Sequence, residues 1–123
     1  MKADPKLIAV EFNNCITNHD SAGLASLMTD DHVFIDRDGN VHRSKEFMVN
    51  AWIKFFEQFP NYKNTFTRIE SRGDRAVMLG YAYWSETNRH DPAIWTAEIV
   101  GGLVAEWHIY YDTEQNRRRF GLT

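Results

Sequence analysis

The sequence predicts an α+β domain in which three N-terminal helices pack inside a strongly curved, mostly antiparallel sheet. Three observations lead there. Up to Pro60, most apolar residues recur at helical spacing. Beyond Pro60 the pattern becomes β-prone and is broken by the turns Gly73-Asp74 and Gly101-Gly102. Strands and helices do not alternate along the chain, so parallel crossovers are not expected and a doubly wound fold is excluded. Long strands joined by tight turns, with the helices gathered on one face, favour a bent sheet that closes over them as a cone.

Asp4-Pro5 opens the first helix: Asp caps the first amides and Pro fits the first helical position. Ile8, Phe12, Cys15, Ile16 and His19 then follow at helical spacing, giving a helix over 5–18. Asp20 or Ser21 caps a second, shorter helix carrying Leu24, Leu27 and Met28, which Asp30-Asp31 ends. His32 to Asp36 reads as a strand, and Arg37-Asp38-Gly39-Asn40 as a turn into a short return at Val41 and His42. Ser44 caps a third helix with a broad apolar face from Phe47 to Phe59, stopped by Pro60. Strands follow over 62–72, 75–86, 94–100 and 103–112, with a polar loop from Asn88 to Pro92.

The chain has 123 residues, enough for one domain spanning 1–123, and 43% of them are hydrophobic. Aromatics make up 14%, with four Trp and eight Phe, more than a small core needs; large flat side chains in excess often line a cavity. Net charge is −3 without a basic stripe, which argues against a nucleic-acid partner. The run Arg117-Arg118-Arg119 reads as a solvated helix end or tail. A single cysteine, Cys15, permits no internal disulfide and suits a reducing, cytoplasmic setting; among apolar helix residues it reads as a small hydrophobe. No segment reads as a signal peptide or a membrane span.

Two stretches carry a family resemblance. His-Asp-Ser-Ala-Gly-Leu-Ala-Ser-Leu-Met-Thr-Asp-Asp-His-Val-Phe-Ile-Asp-Arg-Asp-Gly at 19–39 places a short helix and an acidic pair before a strand with an acid at its end. Gly-Gly-Leu-Val-Ala-Glu-Trp-His-Ile-Tyr-Tyr-Asp at 101–112 reads as a closing hairpin and last strand. With the element order, the chain resembles the nuclear-transport-factor-2-like superfamily, and within it the SnoaL-like polyketide cyclase and ketosteroid isomerase group. The resemblance implies a cystatin-like cone, a small-molecule pocket and no cofactor. It assigns Asp36 to the proton-shuttling base of the isomerase-like members. It also implies departures: Phe12 stands where those members carry a tyrosine donor, and Ile109 where epoxide-hydrolase members carry an acid. A second isomerase acid would fall within Ile94 to Glu98, with no secure match. The fold hosts several chemistries, so the resemblance speaks to architecture more than to function.

The residues themselves bear on Asp36. Strand parity sets His32, Phe34 and Asp36 on one face. In an aromatic cup the Asp36 carboxylate would be poorly solvated, its pKa raised, and a base near neutrality the result. The alternative is a turn residue whose oxygens cap backbone amides before Asp38-Gly39. His32 is either an assistant in proton transfer or a strand-entry residue bonded to backbone. His42 and His108 have weaker claims, and Glu98 reads as solvent-facing or interfacial. Phe12, Phe34, Trp52, Phe55, Phe56, Trp84, Trp95, Trp107 and Tyr111 are the candidate lining for a small apolar molecule, each equally suited to plain core. The scattered histidines and single cysteine give no metal site. Two functions remain: a cofactor-free acid–base enzyme, or a non-catalytic ligand-binding or dimerisation domain. Strands 75–86 and 103–112 are apolar on both faces, so a homodimer through the outer face of the meander is expected.

Overall fold

A computed structural model describes residues 4–123; the first three residues of the expected 1–123 domain lie outside the described residues. The order is α1 (Pro5–Thr17), α2 (Ser21–Leu27), β1 (Met28–Ile35), β2 (Val41–Arg43), α3 (Lys45–Gln58), β3 (Lys63–Arg72), β4 (Arg75–Tyr83), β5 (Asp91–Val100), β6 (Leu103–Tyr111) and α4 (Glu114–Arg119). The expected caps hold α1, α2 and α3. Asp4 accepts from the Lys6 amide, Asp20 from the Gly23 amide and Ser44 from the Phe47 amide.

One six-stranded sheet runs β2-β1-β6-β5-β4-β3. It is antiparallel except that β1 and β6 are parallel, with Phe34 opposite Trp107. The sheet is thus mostly antiparallel, as the sequence predicts, and the one exception is the β1–β6 pair, which no parallel crossover was expected to make. β1 leaves its hairpin with β2, passes through α3 and the whole meander, and receives its second neighbour from the far end of the chain. Register slips between Met28 and Val33, Phe66 and Arg68, and Glu98 and Ile99 bend the sheet. At Gly80 a Cβ would sit 1.9 Å from the Thr65 carbonyl oxygen, so only glycine permits this close approach of β4 to β3.

Three boundaries differ from expectation. Asp30 and Asp31 do not end a helix. They lie inside β1 at its slipped register and face solvent. β4 stops at Tyr83, because the Trp84 amide turns back to the Asn88 carbonyl. β5 begins at Asp91 and includes Pro92, tolerated near the strand start.

The concave face packs against the helices. Phe12 and Ile16 of α1, Leu24, Met28, Met78, Trp95, Val104 and Trp107 are all at most 1% exposed. Phe12 lies 4.6 Å from Trp107, ring centre to ring centre. The convex face carries a second apolar cluster, Val77 and Ile94 with Leu79 and Tyr110. The chain covers this cluster itself: Phe120 and Leu122 lie on it, Arg68 donates to the Leu122 carbonyl, and Arg72 reaches the Phe120 and Gly121 carbonyls. The two-sided apolar pattern therefore does not call for a partner copy. The arginine run serves the same segment, with Arg117 paired to Asp112, Arg118 to Glu114, and Arg119 over Tyr110.

His32 is fully buried at the foot of this core. Its Nδ1 lies 2.7 Å from the Val104 carbonyl oxygen and Nε2 has no partner, so the ring is neutral with Nδ1–H donating. Burial holds its pKa below the ordinary value, outweighing the opposing bond to Val104. A depressed folded-state pKa keeps stability whole above the unfolded value, about 6.5, and removes it as pH falls through that value. The denaturant midpoint should accordingly drop between pH 7 and pH 5. His32→Phe should cost about 1–3 kcal/mol at pH 7 by orphaning the Val104 carbonyl. It should also flatten that pH slope, leaving the smaller share of His108, whose pKa burial also lowers. An unchanged slope in the variant would discount His32.

Candidate functional site

A cavity of about 420 Å³ opens between α3 and the concave face of the sheet. It exists because small residues stand where large ones would fill the space: Ala51 on α3, Ala82 on β4 and Ala93 on β5 all line it. α3 presents Met48, Ala51, Trp52 and Phe55 to it, one stripe at three- and four-residue spacing. Phe34, Tyr62, Trp84, Trp95 and Ile109 complete the apolar wall. The rings brace one another, with centroids 4.8 Å apart for Phe55–Tyr62, 4.7 Å for Tyr62–Trp84 and 5.9 Å for Phe34–Trp52.

The polar end is built by the β1–β2 turn. Asp36 Oδ1 accepts from the Asp38 and Asn40 amides, each at 3.0 Å, while Gly39 adopts φ 85° to let the turn close. Oδ2 lies 3.5 Å from His42 Nε2. Asp36 therefore caps its turn, as the turn alternative has it, and also lines the cavity. The expected rise in its pKa is corrected. Desolvation raises it, but hydrogen bonds from Asn40, His42 and Asp38 together hold it below the usual carboxylate value. The side chain keeps 32% of its exposure, so the dry surroundings assumed for it are absent.

Next to Asp36, Arg37 reaches across the mouth to Asp91 through two 2.9 Å bonds. The Trp84 indole N–H donates to the same carboxylate, also at 2.9 Å. The guanidinium sits 4.9 Å from the centre of the Tyr111 ring, and the Tyr111 hydroxyl donates to Asp38 at 2.7 Å. Desolvation of Asp91 is outweighed by Arg37 and Trp84, which leave its carboxyl below the usual range. Burial pushes the Tyr62 hydroxyl well above the ordinary phenol value, so it stays protonated.

Of the residues singled out from sequence, Phe34, Asp36, Trp52, Phe55, Trp84, Trp95 and Tyr111 meet at this cavity. Phe12, His32, Phe56 and Trp107 lie outside its wall. Phe12 and Trp107 pack together in the core, Phe56 stacks on His19 at 4.3 Å, and His32 is tied to Val104. Glu98 is on the convex face, paired with Arg75, and His108 is stacked there on Tyr110. The sequence reading missed Arg37, Tyr62 and Asp91 and undervalued His42. A signal for His42 was present, since the Asp-Gly turn sets the register that puts it opposite Phe34. Arg37 and Asp91 are 54 residues apart and offer no local signal. Among the described residues no three His, Cys, Asp or Glu side chains are grouped to hold a metal ion, and no helix is long and apolar enough to cross a membrane.

The model of the SnoaL-like domain family matches residues 9–120, and the chain belongs to that family. No curated protein matches it by sequence. Among solved structures it is similar to a cystatin-fold protein from Novosphingobium aromaticivorans, with TM-score 0.77 and 15% identity over 88% of this chain and 98% of that one. An NTF2-like protein from Cytophaga hutchinsonii gives TM-score 0.74 and 12% identity over 98% and 97%. An LEH-like epoxide hydrolase of M. tuberculosis gives 0.77 and 14% over 88% and 78%. At these identities the likeness is one of fold.

The Arg37–Asp91 bridge yields a direct test. Lysine keeps the charge but not the two-pronged geometry or the flat stack on Tyr111. Arg37→Lys should lower stability by about 1–2 kcal/mol in denaturant titrations. It should also speed amide exchange across the 36–40 turn. Wild-type exchange rates in that turn would show that the bridge does not hold it.

Proposed function

We propose that this SnoaL-like domain takes a small, largely apolar molecule into the cavity and performs cofactor-free acid–base chemistry on it, of the isomerase, cyclase or dehydratase type, with Asp36 as the base. The observation that carries the reading is an aromatic-walled cavity with an ionised carboxylate at its polar end, one of whose oxygens is left over by the turn. Oδ1 is fixed by two amides, so Oδ2 can face a bound molecule without the carboxylate swinging. The lowered pKa makes Asp36 a weaker base, but it is in the working form at any pH above the carboxylate range. A proton taken by Oδ2 has His42 beside it as a second station. A ligand oxygen that reaches the Tyr62 hydroxyl, which is kept protonated by burial and lies against the Asn64 side chain, would be polarised by it.

A second reading is a non-catalytic ligand-binding or dimerisation domain. It is favoured by Phe12 and Ile109, apolar side chains at positions where the isomerase-like and epoxide-hydrolase members carry polar catalytic groups. In either case the protein would act in the cytoplasm. Any homodimer would meet through the half-buried polar strip of Arg75, Glu98, Glu106 and His108, beside the covered apolar cluster. Light scattering that reads a monomer at micromolar protein would remove the dimer.

The pocket and the chemistry separate experimentally. Ala51→Trp should fill the cavity and weaken Nile red binding at least tenfold with an unchanged circular dichroism spectrum. Asp36→Asn retains a turn-capping oxygen, so stability should change by about 1 kcal/mol or less. With a substrate identified from the co-purifying compound by native mass spectrometry, turnover of Asp36→Asn should fall by roughly 10²–10⁴, far more than any loss of binding. The acid limb of the wild-type rate should lie below the ordinary carboxylate pKa, since the folded value is depressed. Full turnover in Asp36→Asn would leave only the binding reading.

A further inference from the structure

Resting on the reading of the cavity as a binding site, we propose that its ligands carry a positive head group, a protonated amine or quaternary ammonium, on an apolar body. The walls supply the first argument. Phe34, Trp52, Phe55 and Trp84 present aromatic rings to one cavity, and ring faces attract cations. The charges at the mouth supply the second. Asp36, Asp38 and Asp91 line it against a single fixed cation, Arg37. Arg37 is consumed by its paired bonds to Asp91, which leaves Asp36 and Asp38 uncancelled in one short turn. Even a charged His42 would leave the mouth net negative. Asp36 is held ionised by its turn, so this charge persists at neutral pH.

The protein's own side chains already form the arrangement a ligand would copy. Arg37 lies 4.9 Å over the Tyr111 ring, with Asp91 on its guanidinium and Asp38 on the Tyr111 hydroxyl. A cation thus already rests between an aromatic face and a carboxylate at this mouth. An anionic head group would meet Asp36 and Asp38 with no free guanidinium to receive it, and a neutral one would gain only the apolar burial.

Three benzyl probes decide it: benzyltrimethylammonium, its uncharged carbon isostere neopentylbenzene, and the anion phenylacetate, each titrated against tryptophan fluorescence. The ammonium should bind at least fivefold more tightly than the isostere, and phenylacetate weakest. Raising salt from 20 to 500 mM should weaken only the ammonium, since the attraction is screened. Asp38→Asn, which still accepts from Tyr111, should weaken the ammonium threefold or more and leave the isostere within twofold. Neopentylbenzene binding as well as the ammonium, or phenylacetate matching it, overturns the charge preference while the cavity reading stands. Failure of all three probes removes the cavity reading and this inference together.

Discussion

Small side chains on the concave face, set between very large ones, are the constraint on which the rest of this molecule depends. A protein interior fills to nearly crystalline density unless something prevents it. Along β4 and β5 the inward positions run Ala76, Met78, Ala82 and Ala93, Trp95, Ala97. Phe12 meets Trp107 at 4.6 Å between ring centres, and both are fully buried with Trp95. Toward the β1–β2 turn, Ala51, Ala82 and Ala93 face one another and nothing reaches in to replace the missing volume. The aromatic rings around that gap are braced edge to face, so they cannot all collapse into it. The cavity is thus a product of packing rather than of a loop held open.

The five-residue turn that closes β1 onto β2 does two jobs at once. It ends a strand, and it delivers Asp36, Arg37 and Asp38 to the same mouth. Each is then restrained by a different part of the fold: Asp36 by its own turn amides, Arg37 by β5, and Asp38 by β6. Most charged groups on a small domain spend their time in water. These three are held in a fixed arrangement, Asp36 by amides of its own turn and Arg37 and Asp38 by partners distant in sequence.

The helices and strands were legible because their signals are local. Asp4-Pro5, Asp20 and Ser44 announce helix starts, and the Asp-Gly and Gly-Gly turns announce hairpins. Part of the candidate site was legible for the same reason, since parity along β1 pairs Phe34 with Asp36. What escaped depends on contacts that no window of sequence contains. The parallel seam of β1 with β6 and the Arg37–Asp91 bridge join remote segments. The sign of the Asp36 shift depended on a competition between desolvation and turn amides that parity cannot weigh. The covering of Val77 and Ile94 by Phe120 and Leu122 was hidden because an apolar residue in a polar tail reads as incidental until its landing place is known.

The parallel seam also sets an order of events in synthesis. β1 and β2 leave the ribosome early, yet on its other edge β1 has no neighbour until β6 has been made, some 70 residues later. Until then the hairpin has only α3 packed on it and one edge unpaired. Meanwhile β3, β4 and β5 can already zip together, since each finds its neighbour next in line. The last strand is therefore the keystone: it pairs with both β5 and β1 and joins two half-sheets. That late, long-range closure places the chain among slower folders for its size, and exposes the β1 edge to stray pairing in the interval.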